Sequence, residues 1–340
     1  MKYPWDDNIY IIAEAGVNHN GDISLAKELI EISKECNADA VKFQTWKPGE
    51  LTGKYAIKTE YMGESSESRS ELSNRLCLPY ESFFELKEFS ENIGIEFLST
   101  PDGFESLDFV SDELNVPYIK VGSSELNHLV FLEKVGLKNK PVILSTGLGT
   151  LNEVSDALAA LKKYNHDLEV IVLQCTSEYP APIDDLNLLA INTIKEKFNV
   201  KTGFSDHSDD QIAGLVAVGL GSCIIEKHFT IDKNMDGPDH KSSLNPIELK
   251  GFVKNIKNAK IMMGDGNKIR MPSEAKNLDS IRRSIVAKGN YAKGTILSSE
   301  MLTCKRPATG FEPNYLDRVI GKKLSKDINY DQPLDSSFIE

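Results

Sequence analysis

Short apolar runs recur along the chain, and each one ends in polar residues. Eight such runs are IIA (11–13), AV (40–41), FL (97–98), YI (118–119), VIL (142–144), VIVL (170–173), TGF (202–204) and II (224–225). A short apolar run bounded by turn residues is typical of a strand buried on both faces. Amphipathic stretches of helical length lie between them, such as residues 25–36 and 151–164. The pattern predicts eight βα units, which close into an α/β fold of the TIM (β/α)8 barrel type.

The polar residues that follow these runs lie where a barrel carries its chemistry. Barrel enzymes build their sites at the C-terminal ends of the strands, because the βα loops form the mouth there. The polar residues at or just after the predicted strand ends include Glu14, Lys42, Gln44, Thr100, Lys120, Ser123, Glu125, Ser145, Ser205, His207 and His228. We therefore expect these side chains to meet around a single mouth.

The rest of the chain divides into an insertion and a C-terminal module. Residues 47–77, between the second and third strands, form an extended insertion of the length typical of lids and binding loops. A final helix is predicted at Pro246–Met263, and short elements broken by turns follow from about Ser280. We place a barrel domain at residues 1–265, a linker at 266–280 and a compact β-rich domain at 281–340.

Composition narrows the class of protein. The 340 residues suffice for one barrel and a small extra domain. A formal net charge of −12 argues against binding to nucleic acids or to anionic membranes, which require a basic surface. Five cysteines without a close pairing motif fit a reducing compartment. No run approaches transmembrane length and the start lacks a signal-peptide core, so a cytoplasmic protein is expected.

Two histidines follow neighbouring strands of the predicted barrel. His207 comes after the seventh strand and His228 after the eighth. Adjacent strand ends lie side by side, so both imidazoles can reach one metal ion. The alternative is that each is a hydrogen-bonded structural histidine, and the residues alone leave both interpretations open.

Lysines at strand ends indicate an anion site. Lys42, Lys120 and Lys227 lie in or beside apolar strands, where a lysine is unfavourable unless it is paired or bound to an anion. With hydroxyls such as those of Ser123 and Ser145, they predict a pocket for phosphate and carboxylate groups. The alternative is that each lysine pairs internally with Glu14, Glu125 or Glu226.

Two carboxylates are placed for acid/base work. Glu14 and Glu125 follow the first and fourth strands, so they are candidates for opposite sides of a substrate. The alternative is a role as lysine counter-ions. A tight turn at residues 237–240 presents Asp239, which can accept hydrogen bonds from sugar hydroxyls.

Several segments together closely resemble the sialic acid synthase family. They are IAEAGVNHNG (12–21), VKFQT (41–45), LSTP (98–101), CTSEYP (175–180), GFSDHS (203–208) and EKHFT (226–230). The resemblance spans nearly the whole chain, in order. The tail from about Ile281, with KRP at 305–307, resembles that family's C-terminal antifreeze-like (SAF) domain.

The resemblance implies an enzyme that condenses phosphoenolpyruvate with N-acetylmannosamine and water to give N-acetylneuraminate and phosphate. It implies that His207 and His228 hold a divalent metal, Mn²⁺ first, with Mg²⁺ or Co²⁺ as alternatives. The residues implied to hold phosphoenolpyruvate are Lys42, Thr100, Lys120, Ser123, Ser145 and Ser205. Those implied to contact the open-chain sugar or the intermediate are Glu14, Gln44, Tyr179 and Asp239.

The same resemblance assigns two further roles. Glu125 would act as acid/base near the attacking water. Arg306 would reach from the tail domain into the barrel of a partner subunit and touch the acylamino group, in a domain-swapped homodimer. The chain departs from the family at Ser177, where asparagine is frequent, and at Ala308, where relatives have glycine.

Other functions stay open at this point. The first alternative is a legionaminic acid synthase using 2,4-diacetamido-2,4,6-trideoxymannose, distinguished by contacts to C4 and C6 from loops such as 47–77. Pseudaminic acid ranks third as a product, because the AGVNH segment at 15–19 is kept. A catalytically silent sugar-binding protein is disfavoured by the retained histidines, glutamates and strand lysines.

Overall fold

The barrel is formed by eight parallel strands. The computed structural model describes residues 2–53, 55–57 and 67–340. The chain separates into two compact units, Met1–Gly264 and Asp265–Glu340. The strands of the first unit are β1 Tyr10–Gly16, β2 Ala40–Thr45, β3 Glu96–Pro101, β4 Ile119–Val121, β5 Val142–Ser145, β6 Val170–Cys175, β7 Lys201–Asp206 and β8 Ile224–His228. They pair in the order β3-β2-β1-β8-β7-β6-β5-β4, and contacts between β3 and β4 close the sheet. The predicted TIM barrel is confirmed.

Helices of the first unit follow most of the strands. They are α1 Ile23–Glu35, α2 Arg69–Leu76, α3 Tyr80–Ile93, α4 Phe104–Asp108, α5 Leu129–Leu137, α6 Leu151–Leu161, α7 Ala190–Phe198, α8 Ile212–Gly219 and α9 Pro246–Met263. The helix predicted at 25–36 begins earlier, because the Asp22 side chain caps it by accepting from the Ser24 amide. The helix predicted at 151–164 ends at Leu161. No helix in the described part of the chain is both long and apolar enough to cross a membrane.

The barrel interior changes from apolar to polar along its axis. Side chains of a strand alternate between two faces, so every second residue points inward. The N-terminal part of the interior is an apolar cluster that includes Ile12, Ala40, Leu98, Ile143, Ile171 and Ile224. Residues two positions further along these strands are Glu14, Lys42, Thr100, Ser145, Leu173 and Glu226. The apolar cluster supports a mostly polar layer at the mouth, and burial of its side chains contributes to stability.

The insertion at 47–77 contains a helix and is therefore only partly a loop. α2 begins at a capping box, in which Ser68 accepts from the Glu71 amide and the Glu71 carboxylate accepts from the Ser68 amide. Its apolar face packs on the barrel mouth in a cluster of Val17, Trp46, Leu72 and Leu76. Residues 54 and 58–66 of the predicted lid lie outside the described residues.

The second unit has its own small core. Strands β9 Ser284–Ala287 and β10 Leu302–Lys305 pair antiparallel. The apolar cluster around them includes Leu297, Val319, Leu324, Ile328, Leu334 and Phe338. The predicted linker at 266–280 contains the short helix α10 Pro272–Ala275 and most of α11 Leu278–Ile281, and α12 Leu316–Val319 follows later. A small antiparallel sheet with turns matches the β-rich domain that the sequence predicts.

Candidate active site

A cavity of about 400 Å³ opens at the C-terminal ends of the strands. Most of the predicted site residues line it: Glu14, Lys42, Gln44, Thr100, Lys120, Ser123, Ser145, Tyr179, Ser205, His207, His228 and Asp239. Glu125 does not line it, and Arg306 lies on the second unit, where its side chain is exposed just after β10. The structure thus brings together side chains from all eight strands or the loops that follow them.

Lys42 is held by a carboxylate and a hydroxyl. Its Nζ lies 2.7 Å from Glu14 Oε2 and donates to Thr100 Oγ1 at 2.8 Å. β1 and β2 pair in parallel with Glu14 opposite Lys42, so this ion pair follows from strand register. Gln44 Nε2 donates to Glu14 Oε1 at 3.2 Å. The counter-ion role that the sequence left open for Glu14 is therefore present in this structure.

A second carboxylate, Glu226, lies between the two lysines of the mouth. Its Oε1 is 3.5 Å from Lys120 Nζ, and its Oε2 is 3.8 Å from Lys42 Nζ. Ser205 Oγ donates to Glu226 Oε1 at 2.8 Å, and Lys120 donates to Ser145 Oγ at 2.7 Å. The sequence analysis considered Glu226 only as a lysine partner. Glu226 lies two residues after Ile224 on β8, so its side chain points into the barrel as that of Ile224 does.

Burial and the neighbouring charges shift the pKa values of Glu14, Glu226 and Lys120 in different directions. Burial raises the pKa of Glu14 above its ordinary value, with Lys42 opposing the rise. Burial also acts to raise the pKa of Glu226, but Lys120 and Lys42 outweigh it and lower that pKa. Burial lowers the pKa of the Lys120 ammonium. Two lysines and one firmly ionised carboxylate make a site that can exchange internal ion pairs for a bound anion.

Hydroxyls and amides complete this end of the cavity. The Gly147 amide donates to Ser123 Oγ at 2.9 Å, which fixes the hydroxyl beside the end of β5. A side chain at position 147 would collide with its neighbours, because an added Cβ would lie 2.1 Å from Ser177 Oγ. An alanine at this position would therefore displace the Ser177 and Ser123 hydroxyls.

The two predicted histidines lie side by side. The ring centroids of His207 and His228 are 5.4 Å apart, and the rings are inclined at 72°. His207 Nδ1 bonds to the Thr176 carbonyl at 2.8 Å, and its Nε2 is 3.1 Å from the Tyr179 hydroxyl. Tyr179 stacks on His207 with centroids 4.1 Å apart. His207 is thus held in one orientation beside His228, and the two imidazoles lie within reach of a shared ligand.

The imidazole pair fits a divalent cation. His228 Nδ1 is buried and has no hydrogen-bond partner, and Asp239 Oδ2 lies 3.8 Å away from it. Burial and the neighbouring His207 lower the pKa of His228 well below its usual value, so the ring is neutral and able to bind a metal. Burial raises the pKa of Asp239 to about 6. Within 2–53, 55–57 and 67–340, no three His, Cys, Asp or Glu side chains form a metal cluster. The protein would therefore contribute the two histidine nitrogens as its ligands.

The structure excludes Lys227 from this anion site. It lies between two inward-facing residues of β8, so its side chain points out of the barrel. There its Nζ lies 2.9 Å from Asp206 Oδ2 and bonds to the Ser208 carbonyl. Internal pairing is correct for this lysine, but its partner is Asp206 and none of the three predicted glutamates.

Two carboxylates, Glu125 after β4 and Asp102 after β3, influence each other. Glu125 Oε2 bonds to His128 Nδ1 at 2.6 Å. Asp102, which the sequence analysis did not single out, lines the cavity beyond β3. Burial, with a contribution from Glu125, raises the pKa of Asp102 to about 7. The LSTP segment could have indicated Asp102, because Asp102 directly follows Pro101 at the end of β3. Cys175, with Sγ 3.7 Å from His207 Nδ1, is a further cavity residue, to which the sequence analysis gave no role.

Comparisons with known proteins agree with this geometry. The sequence profile of the NeuB family matches residues 29–268, and that of the SAF domain matches 282–340. N,N'-diacetyllegionaminic acid synthase of Campylobacter jejuni is 43% identical over 326 residues, covering 95% of this chain and 97% of that protein. The human N-acetylneuraminate-9-phosphate synthase is 32% identical, covering 97% of this chain and 92% of that protein.

A solved structure extends the match. The N-acetylneuraminic acid synthetase of Leptospira borgpetersenii superimposes with a TM-score of 0.70 at 33% identity, covering 79% of this chain and 90% of that one. The predicted family and the barrel-plus-SAF architecture are confirmed. The chain belongs to the NeuB family of sialic-acid-type synthases, transferases that form a carbon–carbon bond, and carries a SAF domain at its C-terminal end.

Proposed function

We propose that this protein condenses phosphoenolpyruvate with an N-acylated mannosamine-type sugar and water, giving a nine-carbon α-keto acid and phosphate. The observation that supports this most is that two buried lysines and two adjacent imidazoles line the same cavity. The lysines suit a doubly charged enol phosphate, and the imidazoles suit a cation that faces a carbonyl oxygen.

The lysine end of the cavity would hold phosphoenolpyruvate. Lys42 and Lys120 exchange their pairs with Glu14 and Glu226 for the phosphate and carboxylate of the substrate. The hydroxyls that assist them are those of Thr100, Ser123, Ser145 and Ser205. These donors restrain the substrate and stabilise the charge that departs with phosphate.

The imidazole end would hold the open-chain sugar. Gln44, Glu14, Tyr179 and Asp239, which line the cavity, would orient its hydroxyls. His207 and His228 would hold Mn²⁺, with Mg²⁺ or Co²⁺ as substitutes. When bound, that ion would supply Lewis-acid polarisation of the sugar aldehyde.

The bond changes follow from this placement. C3 of phosphoenolpyruvate attacks the sugar C1 aldehyde, which leaves positive charge at C2, and the aldehyde oxygen gains the electron pair and takes up a proton to become a hydroxyl. Water adds at C2, and its proton would pass to Glu125, the acid/base that the family resemblance implies; this carboxylate pairs with His128 and lies outside the cavity lining. Cleavage of the C2–O bond to phosphate then releases inorganic phosphate and leaves the α-keto acid.

The sugar is proposed to be 2,4-diacetamido-2,4,6-trideoxymannose. Identity to the diacetyllegionaminic acid synthase of C. jejuni is 43%, against 32% for the human N-acetylneuraminate-9-phosphate synthase. This difference supports the alternative that the sequence analysis ranked second. N-acetylmannosamine, which it ranked first, is the competing substrate.

Assembly is proposed to be a homodimer in which Arg306 of one subunit serves the barrel of the other. A phosphate-release assay tests the synthase function and the choice of sugar: phosphoenolpyruvate is mixed with each sugar in turn. We expect release with the diacetamido sugar at the higher kcat/KM. No release with either sugar would refute the synthase function.

A further inference from the structure

The mouth of the cavity has an apolar side that the proposed reaction does not use. Phosphate, carboxylate and hydroxyl groups are accounted for by the lysines, hydroxyls and imidazoles. The surface where α2 meets the barrel is apolar instead. It is lined by Val17, Trp46, Leu51, Leu72 and Leu76. Arg69 and Ser73, also on α2, line the cavity beside it.

This apolar side is held firmly in place. Trp46 Nε1 donates to the Ser73 carbonyl at 3.1 Å, and the Cys77 thiol donates to the Trp46 carbonyl at 3.1 Å. Thr52 Oγ1 and Ser73 Oγ lie 3.0 Å apart. α2 also lies against Gly21, where an added Cβ would be 2.5 Å from the Arg75 carbonyl oxygen. The surface is therefore organised before any ligand binds.

Arg69 adds a donor at the edge of this surface. Among the residues that the structure describes, its guanidinium donates to the Ile57 carbonyl at 3.1 Å. A guanidinium carries several further N–H groups in a planar fork, so donors are left for an acceptor in the cavity. Leu51, which is 38% exposed, and Leu72 lie on the same side of the mouth.

A guanidinium beside a set of aliphatic and indole side chains matches the chemistry of an N-acyl group. The amide oxygen of an acetamido group accepts from a guanidinium, and its methyl group fits an apolar surface. A sugar hydroxyl could accept from the guanidinium, but it has no methyl group to cover the apolar side chains beside it. The features together favour an acylamino substituent over a hydroxyl.

We infer that α2 and the apolar surface beneath it form an acylamino subsite for the substituent at C4 of the sugar, with Arg69 as its donor. The inference rests on the proposed synthase function and deepens it. Both candidate sugars carry an acylamino group at C2, which the family resemblance assigns to Arg306. Only the diacetamido sugar carries a second one at C4, so this subsite selects between them.

Steady-state kinetics of three variants tests the inference. Arg69→Ala removes the donor, and Leu51→Ser makes an exposed part of the apolar surface polar. Arg75→Ala is the matched control, because Arg75 is on the same helix, pairs with Glu67 and does not line the cavity. Thermal unfolding of each variant verifies folding. KM is measured for phosphoenolpyruvate, the diacetamido sugar, N-acetylmannosamine and its 6-phosphate. A sugar that is not turned over is measured as a competitive inhibitor.

We expect Arg69→Ala to raise KM for the diacetamido sugar about tenfold or more, as for loss of a charged hydrogen bond. The constants for N-acetylmannosamine and phosphoenolpyruvate should stay within about twofold, and Leu51→Ser should act in the same direction as Arg69→Ala. Equal losses for both sugars, or no loss for either, would overturn the subsite. So would a loss confined to 6-phosphorylated N-acetylmannosamine, which would make Arg69 a phosphate ligand. A wild-type enzyme inactive with every sugar would instead refute the proposed function, and the subsite with it.

Discussion

Lys42 and Glu14 form an ion pair at 2.7 Å in which the side chains are only 3% and 1% exposed. A buried pair is strongly destabilised when one partner is lost, because the other is left charged and unpaired. The same lysine is the proposed ligand of phosphoenolpyruvate. Stability and substrate binding therefore depend on the same ammonium group. Substitutions at Lys42 and Glu14 can distinguish the effect on stability from the effect on binding.

Lys42→Met is expected to lower the free energy of unfolding by about 3 kcal/mol at neutral pH, because Glu14 and Glu226 lose their shared counter-ion. Adding Glu14→Gln should restore part of that stability without restoring phosphoenolpyruvate turnover. Urea denaturation and the phosphate-release assay measure the two properties. Lys27→Met, at a surface pair with Glu85, should change stability by less than about 1 kcal/mol. Recovery of turnover in the double variant would contradict the role of Lys42.

Removal of the metal is expected to abolish turnover, and Mn²⁺ should restore it. His228→Ala should lower Mn²⁺ affinity at least a hundredfold, or about 3 kcal/mol, since it removes one of two proposed protein ligands. Equilibrium dialysis with metal analysis measures binding independently of activity. His166→Ala, at an exposed histidine, is the control. Full activity of the metal-free enzyme would refute the metal assignment.

Acid stability should depend on His19, whose pKa burial lowers from 6.5 to about 4. The unfolded chain binds a proton at this histidine below pH 6.5, whereas the folded protein does so only near pH 4. Stability is therefore lost as the pH falls through this window, by about 2 kcal/mol between pH 6.5 and 5. His19→Gln should remove that part of the pH dependence, and His166→Gln should not. Denaturation curves at pH 7 and pH 5 that fall in parallel for wild type and His19→Gln would contradict this.

Gly147→Ala is expected to lower kcat/KM for phosphoenolpyruvate about tenfold, because displaced hydroxyls misalign the substrate. The added Cβ would lie 2.1 Å from Ser177 Oγ and 2.9 Å from Ser123 Oγ. Gly219→Ala is the matched control, since nothing lies within 4 Å of its Cβ position in α8. The control should keep wild-type kinetics. Unchanged kinetics of Gly147→Ala would place Ser123 outside the site.

Arg306→Ala should raise the sugar KM about tenfold and leave that of phosphoenolpyruvate unchanged, as expected for a charged hydrogen bond to the acylamino group. Arg318→Ala, at another exposed arginine of the second unit, is the control. Sedimentation of both variants shows whether subunit assembly is retained. An unchanged sugar KM would rule out the assigned role of Arg306.

Much of the fold was predictable because the signals for it are local. Short runs such as residues 142–144 and 224–225 identify buried strands. All strands of a parallel barrel run in the same direction, so the residue that follows each run lies at the mouth. The histidines after β7 and β8 were predicted to be neighbours for this reason. α2 was missed because it is short and has a low apolar content, so its helical signal is weak beside the polar residues of the insertion.

The amino-acid sequence by itself determined the βα repeat, the family and the set of chemical groups at the strand ends. Only the tertiary structure decided how those groups pair. Lys227 resembles Lys42 in sequence context, yet one pairs outside the barrel with Asp206 and the other inside it with Glu14. The physical reason is that an ion pair depends on distance and burial, which are set by strand register and by alternation of side chains only after the sheet closes.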